Sequence, residues 1–287
     1  MRILLAVDGS DQSYEATRAL AHLRKAELVL VLHVLDVPEP AYPTMVPEAA
    51  RDLYATVERA MREDGERLLK RVASLLPMNT GPVTTRLQVG RPADVILSTA
   101  QEERVDLIMV GARGVSPVRE LVLGSVSHRL ITYASCPTLI VSTALRSLRH
   151  LLLPLEGQYD AEGAVRFLQT KPFREAMEVT LLKVVPFGQP PWPVSVQVAE
   201  SLEKEALETA RDFLDEVTSR LSALDYRAKV VAMVGTPAVA VLQEAAKLKP
   251  DLILMGSSGR RGVTRFVLGS VAHAVVHRTP CPVLVFR

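Results

Sequence analysis

Several glycines and a serine stand at a spacing that suits phosphate binding. Gly111, Gly114, Gly124 and Ser125 form the pattern Gly-x2-Gly-x9-Gly-Ser. Glycine at the end of a strand lets the chain turn with positive φ and lets backbone N–H groups approach an anion closely. Gly124 and Ser125 precede an apolar helical stretch, so we expect their N–H groups at a helix N-terminus, where anions bind. A single such glycine is more often helix-end punctuation, whereas the complete spacing indicates a phosphate site.

The same spacing occurs a second time. The later copy, offset by 145 residues, consists of Gly256, Gly259, Gly269 and Ser270. Near the start of each copy the offset is 148 residues, because Glu156 corresponds to Asp8. A period this long indicates two duplicated globular domains rather than a solenoid of short repeats. We expect the domains at residues 1–143 and 149–287.

Each copy alternates apolar, strand-like runs with helical patterns. The runs of the first copy span residues 3–7, 28–34, 84–89, 107–110 and 138–141. Strands separated by helices predict a parallel sheet with right-handed crossovers. The sequence therefore predicts an α/β fold of two tandem, doubly wound, five-stranded parallel sheets, Rossmann-like and with strand order 3-2-1-4-5.

A ligand site is expected just after the first and fourth strands. In doubly wound sheets, ligands bind beyond the carboxyl ends of the strands, where the strand order reverses. Asp8 follows the first strand, and the glycines follow the fourth. The chain contains neither Gly-x4-Gly-Lys-Ser/Thr nor a Gly-x-Gly-x2-Gly after its first strand, which excludes the two better-known phosphate loops.

These motifs resemble the universal stress protein family. The resemblance rests on Ala-Val-Asp-Gly-Ser at residues 6–10, Leu-His-Val at 32–34, Val-Gly-x-Pro at 89–92, Val-Asp-Leu-Ile at 105–108, the glycine spacing and the Cys-Pro before strand five. It covers nearly the whole chain as a tandem pair, and the glycine spacing is similar to that of the family's ATP-binding branch. Related single-domain proteins dimerise through strand five, so the resemblance implies an intramolecular pseudo-dimer.

The resemblance implies ATP in both copies, with Mg²⁺ bridging its phosphates and no protein side chain holding the metal. Asp8 and the main chain of Val34 would meet the adenine and ribose. The other contacts of the first copy would come from Ala6, Val7, Gly111, Arg113, Gly114, Gly124, Ser125 and Val126. Those of the second copy would come from Pro154, Leu155, Glu156, Val184, Gly256, Gly259, Arg260, Gly269, Ser270 and Val271. Glutamate is one methylene longer than aspartate, so the second site is expected to be weaker or to hold its base differently.

Arginines and cysteines near these motifs have plainer interpretations. Arg113 and Arg260 lie inside the glycine spacing, where they are either solvated loop residues or charge-assisted contacts to polyphosphate. Cys136 and Cys281 each precede a proline and an apolar strand, a placement typical of small buried thiols.

The last helices of the two copies contain three histidines in total, one in the first copy and two in the second. His273 and His277 have the i, i+4 spacing of helical metal ligands, but the sequence indicates no third ligand. Because His128 corresponds to His273, both are expected on a helix surface or at an interface.

The composition predicts a soluble, cytoplasmic protein that binds neither nucleic acid nor membrane. The 34 basic and 32 acidic residues leave a net charge of +2, too little for such binding through bulk charge. Two cysteines fit a reducing cytosol, and the longest apolar runs are far shorter than the ~20 residues of a membrane span. Asp8 also follows the start too soon for a signal peptide.

The leading functional hypothesis is a regulatory protein in which binding of ATP changes either the shape of the chain or its choice of protein partner. The partner is unknown, and whether two chains also associate as a homodimer is left open. The alternative is a slow ATPase, or an enzyme that transfers a nucleotidyl or phosphoryl group from the same site. Asp8 is the clear candidate for a base, but the resemblance assigns it to the sugar, so turnover is expected to be slow. A scaffold with vestigial sites is a third possibility, against which the repeated glycine spacing weighs.

Overall fold

The computed structural model describes residues 1–37, 48–114, 123–186, 196–257 and 268–287. The strands of the first repeat are β1 (Arg2–Ala6), β2 (Leu28–Leu35), β3 (Val83–Val89), β4 (Leu107–Gly111) and β5 (Thr138–Val141). Its helices are α1 (Asp11–Ala19), followed by a 3₁₀ turn (Leu20–His22), α2 (Glu48–Leu75), α3 (Pro92–Glu102) and α4 (Ser125–Tyr133).

The second repeat follows the same plan. Its strands are β6 (His150–Pro154), β7 (Glu178–Val185), β8 (Arg227–Val234), β9 (Leu252–Gly256) and β10 (Val283–Phe286). Its helices are α5 (Gln158–Gln169), α6 (Val196–Ser222), α7 (Pro237–Leu248) and α8 (Ser270–Arg278). Within the described ranges, no helix has both the length and the apolar character that crossing a membrane requires.

All ten strands join in one sheet of order β3-β2-β1-β4-β5-β10-β9-β6-β7-β8. Within each repeat the neighbouring strands are parallel. The two halves meet through β5 and β10, which are antiparallel, with Leu139 opposite Leu284. The predicted α/β fold of two doubly wound repeats, paired as a pseudo-dimer, is therefore confirmed, and each apolar fifth strand covers the other.

Helix starts follow the local sequence signals. Ser10 is the N-cap of α1, and its side chain accepts a hydrogen bond from the Ser13 N–H, which satisfies one of the unpaired N–H groups of the first turn. Pro92 and Pro237 stand at the start of α3 and α7, where their missing N–H costs nothing.

The sheet is buried on both faces by two layers of helices. Leu4 and Leu5 of β1 are neighbours in the chain, and both are fully buried, in separate apolar clusters on opposite sides of the sheet. A strand covered on both sides needs apolar residues at every position rather than at alternate ones. The sequences of the central strands are therefore continuous apolar runs. Because both faces of the sheet are covered, a ligand can approach these strands only at their ends.

Polar contacts cross the junction between the repeats. The Arg287 guanidinium donates to the carbonyl oxygens of Ile131 (3.1 Å) and Thr132 near the end of α4. In the other direction, the hydroxyl of Ser142 donates to the Pro280 carbonyl oxygen over 2.6 Å. These contacts satisfy backbone carbonyls that the strand pairing alone leaves without a donor.

Candidate functional site

Asp8 organises the carboxyl end of β1. Its Oδ1 accepts hydrogen bonds from the Ser10 N–H (3.0 Å) and the Ser10 hydroxyl (2.6 Å). The chain turns between them at Gly9, where φ is +83°, a conformation that favours glycine. The other carboxylate oxygen faces Gly114, because a Cβ added there would lie 2.4 Å from Asp8 Oδ2. Glycine at position 114 thus allows the ends of β1 and β4 to lie this close.

The end of β4 packs directly on the first turn of α1. A Cβ at Gly111 would lie 2.8 Å from the Gln12 carbonyl carbon and 2.9 Å from the Ser13 nitrogen. The Gln12 amide holds this arrangement, because its Nε2 donates to the Ser142 carbonyl oxygen (3.2 Å) and its Oε1 accepts the Arg113 N–H. Arg113 is exposed at the rim, so its guanidinium is accessible to a ligand in solution.

Helix α4 begins at the predicted glycine–serine step. Gly124 is its N-cap, no side chain among the described residues caps this helix, and the Gly124 N–H donates to the Ala112 carbonyl oxygen over 2.7 Å. Ser125 and Val126 lie in the first turn, whose N–H groups have no partner within a helix. The Ser127 hydroxyl donates to the Gly111 carbonyl oxygen over 2.7 Å and so ties α4 to β4. The structure therefore brings the glycines and the positive end of the α4 dipole to the same edge as Asp8.

The main chain of Val34 faces the same edge. The Val7 N–H donates to the Leu32 carbonyl oxygen over 2.9 Å, so Leu32 directs its carbonyl toward β1. Peptide groups two residues apart in a strand point to the same side, which directs those of Val34 past the end of β1. The Val7 carbonyl oxygen is already hydrogen-bonded to His33 Nδ1 over 2.7 Å. Ala6, Val7 and Val34 have buried side chains, so only their backbones are candidates for ligand contacts.

A cleft of about 430 Å³ lies between α2 and the carboxyl ends of β1 and β2. Asp8 and His33 line it from the strands, and Leu68 and Arg71 line it from α2. Gly65 allows this close approach of the helix, because a Cβ there would lie 3.0 Å from His33 Cδ2. None of the site residues predicted from the sequence lies on α2. An isolated glycine within a long helical pattern is the signal that could have located these residues.

The second repeat reproduces the glycine-capped helix. Gly269 is the N-cap of α8, again without a side-chain cap, and its N–H donates to the Ser257 carbonyl oxygen over 2.7 Å. Ser270 and Val271 occupy the first turn. Pro154 ends β6, and the N–H of the buried Leu155 donates to the Leu182 carbonyl oxygen over 2.9 Å. By the same alternation, Val184 directs its peptide groups past the end of β6. Outside the described residues lie Gly259 and Arg260.

The second repeat differs in its charge. Asp160 is buried, and its Oδ2 accepts the Glu156 N–H over 3.0 Å. A Cβ on Gly256 would lie 2.4 Å from Asp160 Oδ1, so this carboxylate packs against the end of β9. Burial, together with the nearby Glu156 carboxylate, raises the pKa of Asp160 to about 6. At neutral pH the site therefore carries two carboxylates, Glu156 exposed at the rim and Asp160 beneath it.

Lys183 partly offsets that charge. Its Nζ donates to the Glu156 carbonyl oxygen and lies 5.1 Å from the ring centroid of Phe213 on α6. In the first repeat the corresponding strand position is His33, which contacts the Val7 carbonyl oxygen instead. The side chain at this position thus caps the end of the first strand in both repeats, but with different chemistry.

The two cysteines take no part in either site. Burial raises the pKa of the Cys136 thiol to about 11 and that of the Cys281 thiol to about 12. Both are therefore protonated at physiological pH and poorly nucleophilic.

Comparisons with known proteins identify the family of this chain. The sequence profile of the universal stress protein family matches residues 1–142 and 147–287. Over 99% of its length the chain is 28% identical to a universal stress protein of Mycolicibacterium smegmatis, 96% of which is covered. Over 49% of its length it is 35% identical to a universal stress protein of Bacillus subtilis, 97% of which is covered. The crystal structure of a universal stress protein from Archaeoglobus fulgidus superposes with a TM-score of 0.67 at 22% identity, covering 100% of this chain and 98% of that one; this likeness concerns the fold.

Proposed function

This chain belongs to the universal stress protein family, and from that premise we propose that it is an ATP-binding regulatory protein of the cytoplasm, with its stronger nucleotide site in the first repeat. The observation that carries the proposal is the convergence of Asp8, Gly111, Gly114 and the uncapped start of α4 at one edge of the sheet.

The glycines support phosphate binding because they allow the parts of the site to pack closely together. Cβ atoms at Gly111 and Gly114 would fall 2.8 Å from the first turn of α1 and 2.4 Å from Asp8, so glycine at these positions lets α1 and Asp8 lie against the end of β4. Ser125 and Val126, which follow the N-cap Gly124, present the first N–H groups of α4 beside that strand end, and such groups bind phosphate oxygens. The exposed Arg113 adds a positive charge at the rim.

The other end of the nucleotide meets Asp8 and Val34. A carboxylate next to a strand end is suited to accept hydrogen bonds from ribose hydroxyls. The backbone N–H and C=O of Val34, directed past β1, are suited to the edge of an adenine ring.

The triphosphate itself is the proposed ligand of Mg²⁺, which usually binds to substrate phosphates and water with few protein ligands. The metal would neutralise part of the phosphate charge. The residues of the first repeat fit such a complex, because backbone N–H groups and Arg113 surround the place of the phosphates while Asp8 lies at the ribose end.

We propose weaker binding in the second repeat. Gly269 and Ser270 repeat the helix start and Glu156 corresponds to Asp8, but the buried Asp160 adds a second carboxylate where the first repeat has the neutral Gln12. Like charges a few ångströms apart inside a protein cost on the order of kilocalories per mole.

The alternative is an enzyme that transfers a nucleotidyl or phosphoryl group. The geometry of Asp8 favours a regulatory ATP-binding protein over such an enzyme. Asp8 Oδ1 already accepts two hydrogen bonds from Ser10, which fix the carboxylate in place and suit it to orient a ligand rather than to activate water. We therefore expect hydrolysis far slower than the exchange of bound nucleotide.

The test is mass spectrometry of the nucleotide released on denaturing freshly purified protein, counted per chain, together with thermal melting in ATP and Mg²⁺. Ligand at a hundred times its dissociation constant stabilises a protein by about 2.7 kcal/mol. Gly124→Leu should remove the tighter site, and its matched variant Gly269→Leu should remove only the weaker one. Gly124 has φ of −75°, which leucine can adopt, but an added Cβ would lie 3.4 Å from the Ala112 carbonyl oxygen. Melting of both variants without ATP therefore serves as the control for misfolding.

Three outcomes separate the hypotheses. Wild-type protein without bound nucleotide and without a melting shift in millimolar ATP would contradict nucleotide binding. Equal loss in the two variants would contradict the difference between the repeats. Rapid, substrate-dependent release of ADP or pyrophosphate would favour the transfer enzyme.

A further inference from the structure

Three histidines from different repeats meet at the junction. His128 lies on α4, while His273 and His277 lie on α8. One ring nitrogen from each histidine lies within 4.8 Å of the others. The ring centroid of His128 is 5.7 Å from that of His273 and 5.8 Å from that of His277, and the last two stack at 4.3 Å. The third ligand that the sequence did not indicate is thus supplied by the fold.

One nitrogen of this cluster is buried without a partner. Among the described residues, His277 Nε2 has no hydrogen-bond partner. Leaving a buried polar atom unsatisfied costs about 1–3 kcal/mol. A side chain that only packed at the interface could be apolar there at no such cost, so the nitrogen itself requires an explanation.

We propose that His128, His273 and His277 form a binding site for one divalent transition-metal ion of the Zn²⁺ type. Neutral imidazole nitrogens are preferred ligands of Zn²⁺, with metal–nitrogen distances of about 2.0–2.1 Å. Tetrahedral geometry then requires ligand nitrogens about 3.4 Å apart. The nitrogens now lie within 4.8 Å of one another, so rotation of the side chains would have to bring them closer. His273 is exposed, so the fourth position faces solvent and would hold water.

The surroundings favour the neutral form of two of these rings. Burial, and then the neighbouring imidazoles, lowers the pKa of His128 and of His277. Both shifts favour the deprotonated form that a metal ligand requires.

The site is single because the duplication is imperfect. His128 and His273 correspond to each other at the offset of 145, whereas the position that corresponds to His277 is Thr132. The Thr132 hydroxyl donates to the His128 carbonyl oxygen over 2.8 Å, within its own helix. One ion per chain would therefore link α4 to α8 and thereby the two repeats.

The experiment measures Zn²⁺ binding to the full chain, without a tag, after removal of metal with a chelator. Titration against a chromophoric competitor should give one ion per chain, and Co²⁺ should give a visible ligand-field spectrum. His277→Thr copies the residue of the first repeat, and His128→Gln removes the ligand from α4. Each should weaken binding at least tenfold, whereas His22→Gln, a histidine outside the cluster, should leave it unchanged.

The melting temperature of each variant without metal shows whether a loss of Zn²⁺ binding results from misfolding. In chelator, His277→Thr should melt no lower than wild type, because it removes the unsatisfied nitrogen; with Zn²⁺, only wild type and His22→Gln should gain melting temperature. The proposal is overturned if wild type binds no Zn²⁺ at micromolar free ion, or if His22→Gln weakens binding as much as His277→Thr does. ATP binding plays no part in this readout, so the two proposals fail separately.

Discussion

Gln12 and Asp160 occupy corresponding positions of the two repeats and contact the corresponding strand-end glycine, but one is a neutral amide and the other a buried carboxylate. A Cβ on Gly111 would lie 3.0 Å from Gln12 Cβ, and a Cβ on Gly256 would lie 2.4 Å from Asp160 Oδ1. The amide both donates and accepts across the site, while the carboxylate can only accept. The repeats therefore share a backbone but differ in the electrostatics beneath the proposed phosphate position.

The first prediction concerns stability and pH. The folded-state pKa of Asp160 is about 6, above its ordinary value of 3.8, so the native chain binds more protons than the unfolded chain between those values. The free energy of unfolding should then fall as pH rises from about 4 to 6, by at most about 3 kcal/mol from this group. Asp160→Asn keeps an oxygen for the Glu156 N–H and should abolish this fall.

The measurement is urea denaturation of both proteins between pH 4 and pH 7.5. The variant should become progressively more stable than wild type above pH 5. Asp212→Asn, at an exposed position of α6, controls for the removal of one negative charge. A constant difference between Asp160→Asn and wild type across the range would contradict burial of an ionisable carboxyl.

The fold could be predicted from the sequence because its signals are local. Continuous apolar runs mark strands buried on both faces, as Leu4 and Leu5 illustrate, and Pro92 and Pro237 mark helix starts. Because the chain is duplicated, each of these sequence patterns occurs twice, and the second copy supports the prediction made from the first. The pairing of β5 with β10 was implied by the family resemblance, and it gives each apolar edge strand the cover that such a strand needs.

The remaining parts of the site depend on contacts between distant segments. No local pattern shows that Gly65 of α2 lies against His33, or that His128 and His277, separated by more than half the chain, share a cluster. The difference between Gln12 and Asp160 is visible in the sequence only after alignment at the offset of 148 residues. Burial, which gives Asp160 its unusual pKa, is a property of the folded chain alone.

Thiol reactivity provides a second prediction. With a pKa of about 11, roughly one Cys136 in a thousand is a thiolate at pH 8, and Cys281 ionises still less. We expect native protein to react with a disulfide reagent at least a hundredfold more slowly than the unfolded chain, in which both thiols should react at once. A native thiol that reacts as fast as free cysteine would show that the region around β5 or β10 opens readily.

The junction between repeats gives a third prediction. Arg287→Met should lower the free energy of unfolding by about 1–3 kcal/mol, because the carbonyls of Ile131 and Thr132 lose a charged donor. Ser142→Ala, at the corresponding position of the first repeat, removes a single neutral hydrogen bond to Pro280 and should cost about 1 kcal/mol. Denaturant titration of both variants checks the order. Equal costs, or none for Arg287→Met, would mean that the strand pairing alone holds the repeats together.

The last prediction returns to Asp160 and the proposed nucleotide sites. In a Gly124→Leu background, which isolates the second repeat, Asp160→Asn should strengthen ATP binding about tenfold. Removing a negative charge close to a bound phosphate is worth on the order of 1–2 kcal/mol at the effective dielectric constant of a protein site, and 1.4 kcal/mol is one factor of ten in affinity. Isothermal titration calorimetry with ATP and Mg²⁺ measures the change. Glu156→Gln, which removes the exposed carboxylate instead, should have the smaller effect because solvent screens it. Weaker binding in Asp160→Asn would show that this carboxyl contacts the ligand rather than repelling it.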